Sequence, residues 1–189
     1  MTEQGEFLAT IVHKLDDAKI QYMVCGSVAS STHGEPRATN DIDIIIACSL
    51  KQIKQFISSF SEDYYADYEM AEDAFRRQSM FNIIDIRTGC KVDLIFLKDE
   101  EFACEEFSRK QESKIFDLTV KLVSPEDSIL SKLKWAKMGQ SDRQLRDAFG
   151  VAVVQWEKLD KAYLKKWAKK LEVEDFLNRI LEEAEKLQD

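Results

Sequence analysis

Residues 41–46 read Asp-Ile-Asp-Ile-Ile-Ile, an apolar run that opens on two carboxylates one residue apart. On a strand, positions two apart share a face, so Asp41 and Asp43 project together while Ile42, Ile44 and Ile46 turn to the packed side. A half-buried strand does not ordinarily open with two adjacent like charges, because their repulsion is destabilising unless a cation neutralises it. Hard carboxylate oxygens of this kind suit Mg²⁺ or Mn²⁺. The segment thus predicts both a strand and a cation-binding face.

The surrounding pattern supplies the rest of a mixed fold. Phe7, Ile11, Val12 and Leu15 mark a helix over residues 6–19, and "IQYMVCG" marks a buried strand ending at Gly26. "VASSTHGEP" reads as a short helix broken at Gly34 and Pro36. Leu50, Ile53, Phe56, Ile57 and Phe60 form one helical stripe behind a Ser49 cap. Residues 61–73 lack a clear period and read as an irregular or partly helical excursion. "SMFNIIDIR" and "KVDLIFL" flank Thr88-Gly89-Cys90 as a β-hairpin, and "IFDLTVKLV" reads as a final edge strand.

From "SPED" onward the pattern is helical, with Ser124 as cap and Pro125 at the first helical position. Three or four helices are expected, near residues 125–138, 141–156, 158–171 and 173–188. The expected fold is α+β: a mixed sheet with helices on one face, spanning residues 1–123, followed by a C-terminal helical segment over 124–189.

Composition narrows the function. The 189 residues are 44% apolar and 33% charged, with no apolar window of membrane-spanning length and no basic, apolar leader at the N-terminus, so a cytoplasmic protein is expected. The net charge of −8 opposes sequence-independent nucleic-acid binding, which needs excess Lys and Arg. A local lysine patch is the one place for nucleic acid. In "KLDKAYLKKWAKK", Tyr163 and Trp167 either offer stacking faces among the lysines or pack as the buried face of an amphipathic helix, the reading we favour. Cys25, Cys48, Cys90 and Cys104 lack zinc-site spacing, and His33 has no ligand partner nearby in sequence.

The chemistry-bearing set is Gly26-Ser27, thirteen intervening residues, the Asp41/Asp43 pair, and then Asp93 in a second apolar strand. Gly26-Ser27 lies between strand and helix, where backbone amides and a hydroxyl suit phosphate oxygens; it is no Walker loop. If "KVDLIF" pairs beside "DIDIII", Asp93 becomes a third carboxylate on the same side, giving a two-metal site able to activate an attacking oxygen and stabilise departing pyrophosphate. Asp85 in the partner strand competes for that role. Arg37 and Thr39 either contact phosphate or pin the loop beside the carboxylates.

"VCGSVASSTHGEPRATNDIDIII" with "FNIIDIRTGCKVDLIFLK" resembles the DNA polymerase beta-like nucleotidyltransferase superfamily. That pattern is a Gly-Ser or Gly-Gly pair, a spacer, an Asp-x-Asp/Glu pair and a later Asp. Together with "SPEDSILSKLKWAKMGQSDRQLRDAFG", residues 20–150 are most similar to small bacterial proteins of the minimal and abortive-infection types. The resemblance implies Asp41, Asp43 and Asp93 as catalytic metal ligands, and an ATP-like nucleoside triphosphate held by Gly26 and Ser27. It also implies Lys132 near the triphosphate, and Asp142 or Asp147 near the acceptor or metal. The acceptor stays open between RNA, protein and a small molecule. Alternative functions are a silent nucleotide-binding or regulatory protein, or the toxin of a toxin–antitoxin pair.

Overall fold

The computed structural model describes residues 2–39, 41–139 and 141–188. Its contacts divide the chain into two compact units, one of residues 1–25 and 39–122, the other of residues 26–38 and 123–189.

The first unit carries a seven-stranded mixed sheet. Its strands are β1 (Gln21–Cys25), β2 (Asp41–Ala47), β3 (Tyr64–Tyr65), β4 (Met80–Asp85), β5 (Lys91–Phe96), β6 (Gln111–Ile115) and β7 (Leu118–Leu122), in the order β3-β4-β5-β2-β1-β7-β6. The acid-bearing strand β2 is therefore central, antiparallel to β1 and parallel to β5. Ile42, Ile44 and Ile46 are fully buried and face Val92, Leu94 and Phe96 in register. Each such burial contributes about 1.5–3 kcal/mol, enough to fix the strand although its other face carries like charges.

This unit also holds α1 (Glu3–Asp17), α3 (Leu50–Ile57), α4 (Tyr68–Arg76) and α5 (Glu101–Ser108), while α2 (Gly26–His33) lies in the second unit. Helix α1 buries Phe7, Leu8, Ile11, Val12 and Leu15, and begins earlier than its apolar stripe because the Thr2 hydroxyl accepts from the Gly5 amide. Helix α3 has the expected Ser49 cap, completed by Gln52 as a capping box. Phe75 of α4 meets Phe96 edge-on at 5.4 Å, which seats that helix on the apolar face of the sheet.

One segment is partly helical as expected, and one differs from expectation. Residues 61–73 contain β3 and most of α4, whose buried face is only Ala71 and Ala74; small side chains leave little periodic signal. "IFDLTVKLV" is no single edge strand: Phe116 and Asp117 both take positive φ (51° and 66°), the requirement of a tight two-residue hairpin, so the segment folds back. Strand β6 forms the edge, and β7 pairs inward with β1.

The second unit comprises α2 with α6 (Pro125–Gly139), α7 (Asp142–Gln155), a 3₁₀ turn (Trp156–Lys158), α8 (Lys161–Leu171) and α9 (Glu174–Glu185). The Ser124 hydroxyl caps α6 by accepting from the Asp127 amide at 3.1 Å. Gly34, just past α2, is where the chain runs against α7. A Cβ there would stand 2.6 Å from the Val151 nitrogen and 2.7 Å from the Gly150 carbonyl carbon, both backbone atoms that cannot step aside. A Cβ on Gly150 would meet Glu35 only at ordinary contact distance. Gly34→Ala is accordingly expected to lower unfolding free energy by about 1–3 kcal/mol, with Gly150→Ala nearly neutral by comparison. Equal urea midpoints for the two variants would refute this packing.

Candidate active site

On the sheet face opposite the isoleucines, the ladder register aligns one row of polar side chains. Asp43 of β2 is directly opposite Asp93 of β5, and Asp41 is opposite Lys91. Asn82 of β4 continues the row beyond Asp93, and Cys25 of β1 faces Asp43 from the other side. Like charges facing each other across a ladder are destabilising. Here the like charges meet at the middle of the sheet, with the Lys91 ammonium beside them.

Asp93 is 7% exposed, and its Oδ1 is buried without a hydrogen-bond partner. Its Oδ2 accepts from the Lys91 ammonium at 2.9 Å, and the same ammonium lies 3.5 Å from Asp41 Oδ1. Among the described residues no three His, Cys, Asp or Glu side chains are already drawn together at metal-ligand spacing. The donor chemistry still fits a hard divalent ion. Carboxylates from two adjacent strands share a face, and one keeps a desolvated oxygen with its lone pairs unused.

Asp85 stands on the other face of the sheet, since β4 alternates and Asn82, not Asp85, is the register partner of Asp93. It is buried and serves the hairpin turn, accepting from the Arg87 amide at 2.9 Å, and Gly89 supplies the positive φ (73°) that the turn needs. Burial raises the Asp85 carboxyl, but hydrogen bonds and charge from Arg87 hold it below its ordinary value. Thr39 lies just before β2; its hydroxyl donates to the Asp41 carbonyl at 3.3 Å, and its carbonyl accepts from Gln4 at 2.9 Å.

The second unit contains its own polar cluster. Gly26, with φ 64°, leads into α2, and the next residue, Ser27, accepts through its hydroxyl from Arg37 at 2.6 Å. Arg37 also makes a two-pronged pair with Asp147, both contacts 2.9 Å, and Lys132 donates to Asp147 at 2.8 Å. The Lys132 and Asp147 side chains are each only 7% exposed. Burial pushes the Asp147 carboxyl up, but hydrogen bonds from Arg37 and Lys132, with their positive charges, outweigh it and hold it below the usual range. Arg37 thus pins its own loop to α7 through Asp147, a partner other than the Asp41/Asp43 carboxylates expected for it. Lys132 is buried in an ion pair rather than extended into solvent.

Sequence reasoning overlooked Lys91, Arg143 and Arg146. Arg37, Arg143, Arg146, Ser30 and Asp147 line a cavity of about 360 Å³ in this unit. Arg143 and Arg146 lie three apart, one helical turn, a signal present in the sequence. Asp142 is exposed at the start of α7. In the lysine tract, Tyr163 and Trp167 are buried, and the Tyr163 hydroxyl donates to Asp127, so neither ring offers a stacking face.

His33 is buried at the end of α2 and meets the Val123 carbonyl at 2.7 Å through Nε2. A carbonyl only accepts, so Nε2 carries the hydrogen. Burial pushes the imidazole pKa down, outweighing the carbonyl contact and the negative charge of Glu126, which favour protonation. The unfolded chain, with a His pKa near about 6.5, binds this proton before the folded one does. Stability should therefore fall as pH drops below that value and level off beneath the lowered folded pKa. His33→Gln should flatten the dependence of unfolding free energy between about pH 6.5 and 5. An unchanged slope in that variant would sink the assignment.

No protein-family model matches the chain, and no curated protein matches it. Solved structures do. The chain has the nucleotidyltransferase fold, a mixed sheet with helices on one face and a C-terminal helical part. An antigenic nucleotidyltransferase-like protein from Paracoccidioides brasiliensis superposes with a TM-score of 0.57 at 18% identity, over 95% of this chain and 92% of its own. The antibiotic-resistance factor ANT(2'')-Ia gives 0.52 at 13% identity, over 88% and 94%. JHP933 from Helicobacter pylori gives 0.51 at 16% identity, over 100% and 96%.

Proposed function

We propose that the protein is a metal-dependent nucleotidyltransferase that moves a nucleoside monophosphate from a triphosphate to a hydroxyl acceptor, releasing pyrophosphate. The observation that carries this reading is the register of Asp43 against Asp93 with Asp41 on the same face, together with the buried, unbonded Oδ1 of Asp93. Facing carboxylates at the centre of a sheet with the nucleotidyltransferase fold suit the holding of cations.

Asp41 and Asp43 would hold both ions and Asp93 one of them, with Mg²⁺ or Mn²⁺ as the fitting metal. When bound, the ions supply electrostatic stabilisation to the attacking and departing oxygens of an in-line displacement. The chain's own residues do the remainder. Asp93, buried with one oxygen unbonded, would accept the proton of the acceptor hydroxyl. Gly26 has no Cβ to bar a phosphate, and the Ser27 hydroxyl and α2 amides would donate to one. Arg37 orients Ser27, while Lys132 holds Arg37 in place through Asp147. Thr39 ties the start of β2 to α1 through Gln4.

The reading is tested by incubating the protein with labelled triphosphates, Mg²⁺ and a cell extract. Label is expected on one acceptor class, RNA, protein or small molecule, with equimolar pyrophosphate. Label on none of them, with any of the common triphosphates, would overturn it. Growth arrest on expression, alongside transfer, would mark the abortive-infection type that residues 20–150 resemble.

A further inference from the structure

Lys91 is the register partner of Asp41 and stands two positions before Asp93, so alternation along β5 puts its side chain on the carboxylate face. One ammonium bridges both strands, at 2.9 Å from Asp93 Oδ2 and 3.5 Å from Asp41 Oδ1. It serves the face incompletely. Its single charge is divided between Asp41 and Asp93, and it reaches one oxygen of Asp93 while the other stays buried without a partner.

We infer that Lys91 is a built-in counter-cation that competes with a divalent ion for this carboxylate face. The inference rests on the metal reading of this face. Three properties of the residue support it. The ammonium bridges Asp41 and Asp93, two of the carboxylates that would hold a metal. Its side chain is 32% exposed, against 10% for that of Asp93, so the flexible four-carbon stem has solvent to swing into while the carboxylate stays fixed. A divalent ion at these carboxylates would also repel an ammonium left beside it, so loading the ion favours swinging the ammonium out to solvent. Lys91 thus lets the sheet fold with its acidic row partly neutralised, at the cost of weaker affinity for free metal.

The test is titration with Mn²⁺ alone, following free Mn²⁺ by electron paramagnetic resonance, on the full-length parent, Lys91→Met, Lys91→Gln and Lys91→Arg. Removing the charge is expected to tighten Mn²⁺ binding about tenfold, the effect of one nearby unit charge at a half-exposed site. Lys91→Arg, which keeps the cation, should bind like the parent. Lys91→Gln can still donate to Asp93, and it carries the test if Lys91→Met does not fold. Thermal unfolding should show a lower midpoint for the neutral variants without metal and a larger rise on adding Mn²⁺. Equal or weaker Mn²⁺ affinity in the neutral variants, with the parent binding normally, would overturn the counter-cation role and leave the metal reading standing. No binding by any variant would overturn both.

Discussion

A chain carrying Asp41→Asn and Asp43→Asn together should lose Mg²⁺-dependent pyrophosphate release by more than about 100-fold, since even residues that merely support metal ligands cost 10–100-fold when changed. The same variant should fold at least as well as the parent in metal-free buffer. Two neighbouring negative charges on the central strand are removed, and one acceptor oxygen of each side chain remains. Activity and stability would then move in opposite directions, as expected where a strand carries charges for function rather than folding. Asp93→Asn is expected to abolish release as well. Asp85→Asn should spare turnover and weaken the hairpin, because Asp85 lies on the other face and holds the Arg87 turn. Turnover retained in the Asp41/Asp43 variant, or lost in Asp85→Asn without unfolding, would remove the carboxylate face from the mechanism.

The parts of this fold that were legible in the sequence are those where one residue's neighbours along the chain decide its fate. Strand β2 was legible because Ile42, Ile44 and Ile46 alternate with the acids, and its bounds match the expected run. The hairpin of β4 and β5 was legible from Gly89, and α6 from Ser124 and Pro125. Helix α4 was not, since its inward face is built of alanine, and α5 passed unnoticed behind a polar, acidic sequence. The turn at Phe116 and Asp117 was hidden because nothing in Phe-Asp announces two positive φ values.

Among the polar residues the same division holds. The shared face of Asp41 and Asp43 follows from a two-residue period, and so does that of Lys91 and Asp93, although an acid pair draws the eye before a lysine does. The ion pairs of Asp147 with Arg37 and Lys132 join positions 110 and 15 residues apart. No local period reports such partners. A lysine on a helix reads as solvated until the fold shows what closes over it.

Asp147→Ala should be among the most damaging single changes in the second unit, costing about 3–5 kcal/mol of unfolding free energy, the usual penalty for breaking a buried pair from one side. The Lys132 side chain is 7% exposed, so its charge would be stranded away from water. Arg37 would keep only Ser27 and the Ala38 carbonyl, and its side chain, 28% exposed, can turn to solvent. Lys132→Met should cost less, because Asp147 retains both Arg37 contacts while an apolar chain of similar length fills the space. The pH dependence has a definite sign. Asp147 titrates below its unfolded value of about 3.9 in the folded chain, so its contribution is complete above that pH and is lost as pH falls through the folded value. Asp147→Asn should accordingly remove part of the acid-induced loss of stability below about pH 4. Urea unfolding of the three variants at neutral and acid pH measures all of this. An Asp147→Ala midpoint within 1 kcal/mol of the parent, or one less damaging than Lys132→Met, would show that this cluster does not hold the unit together.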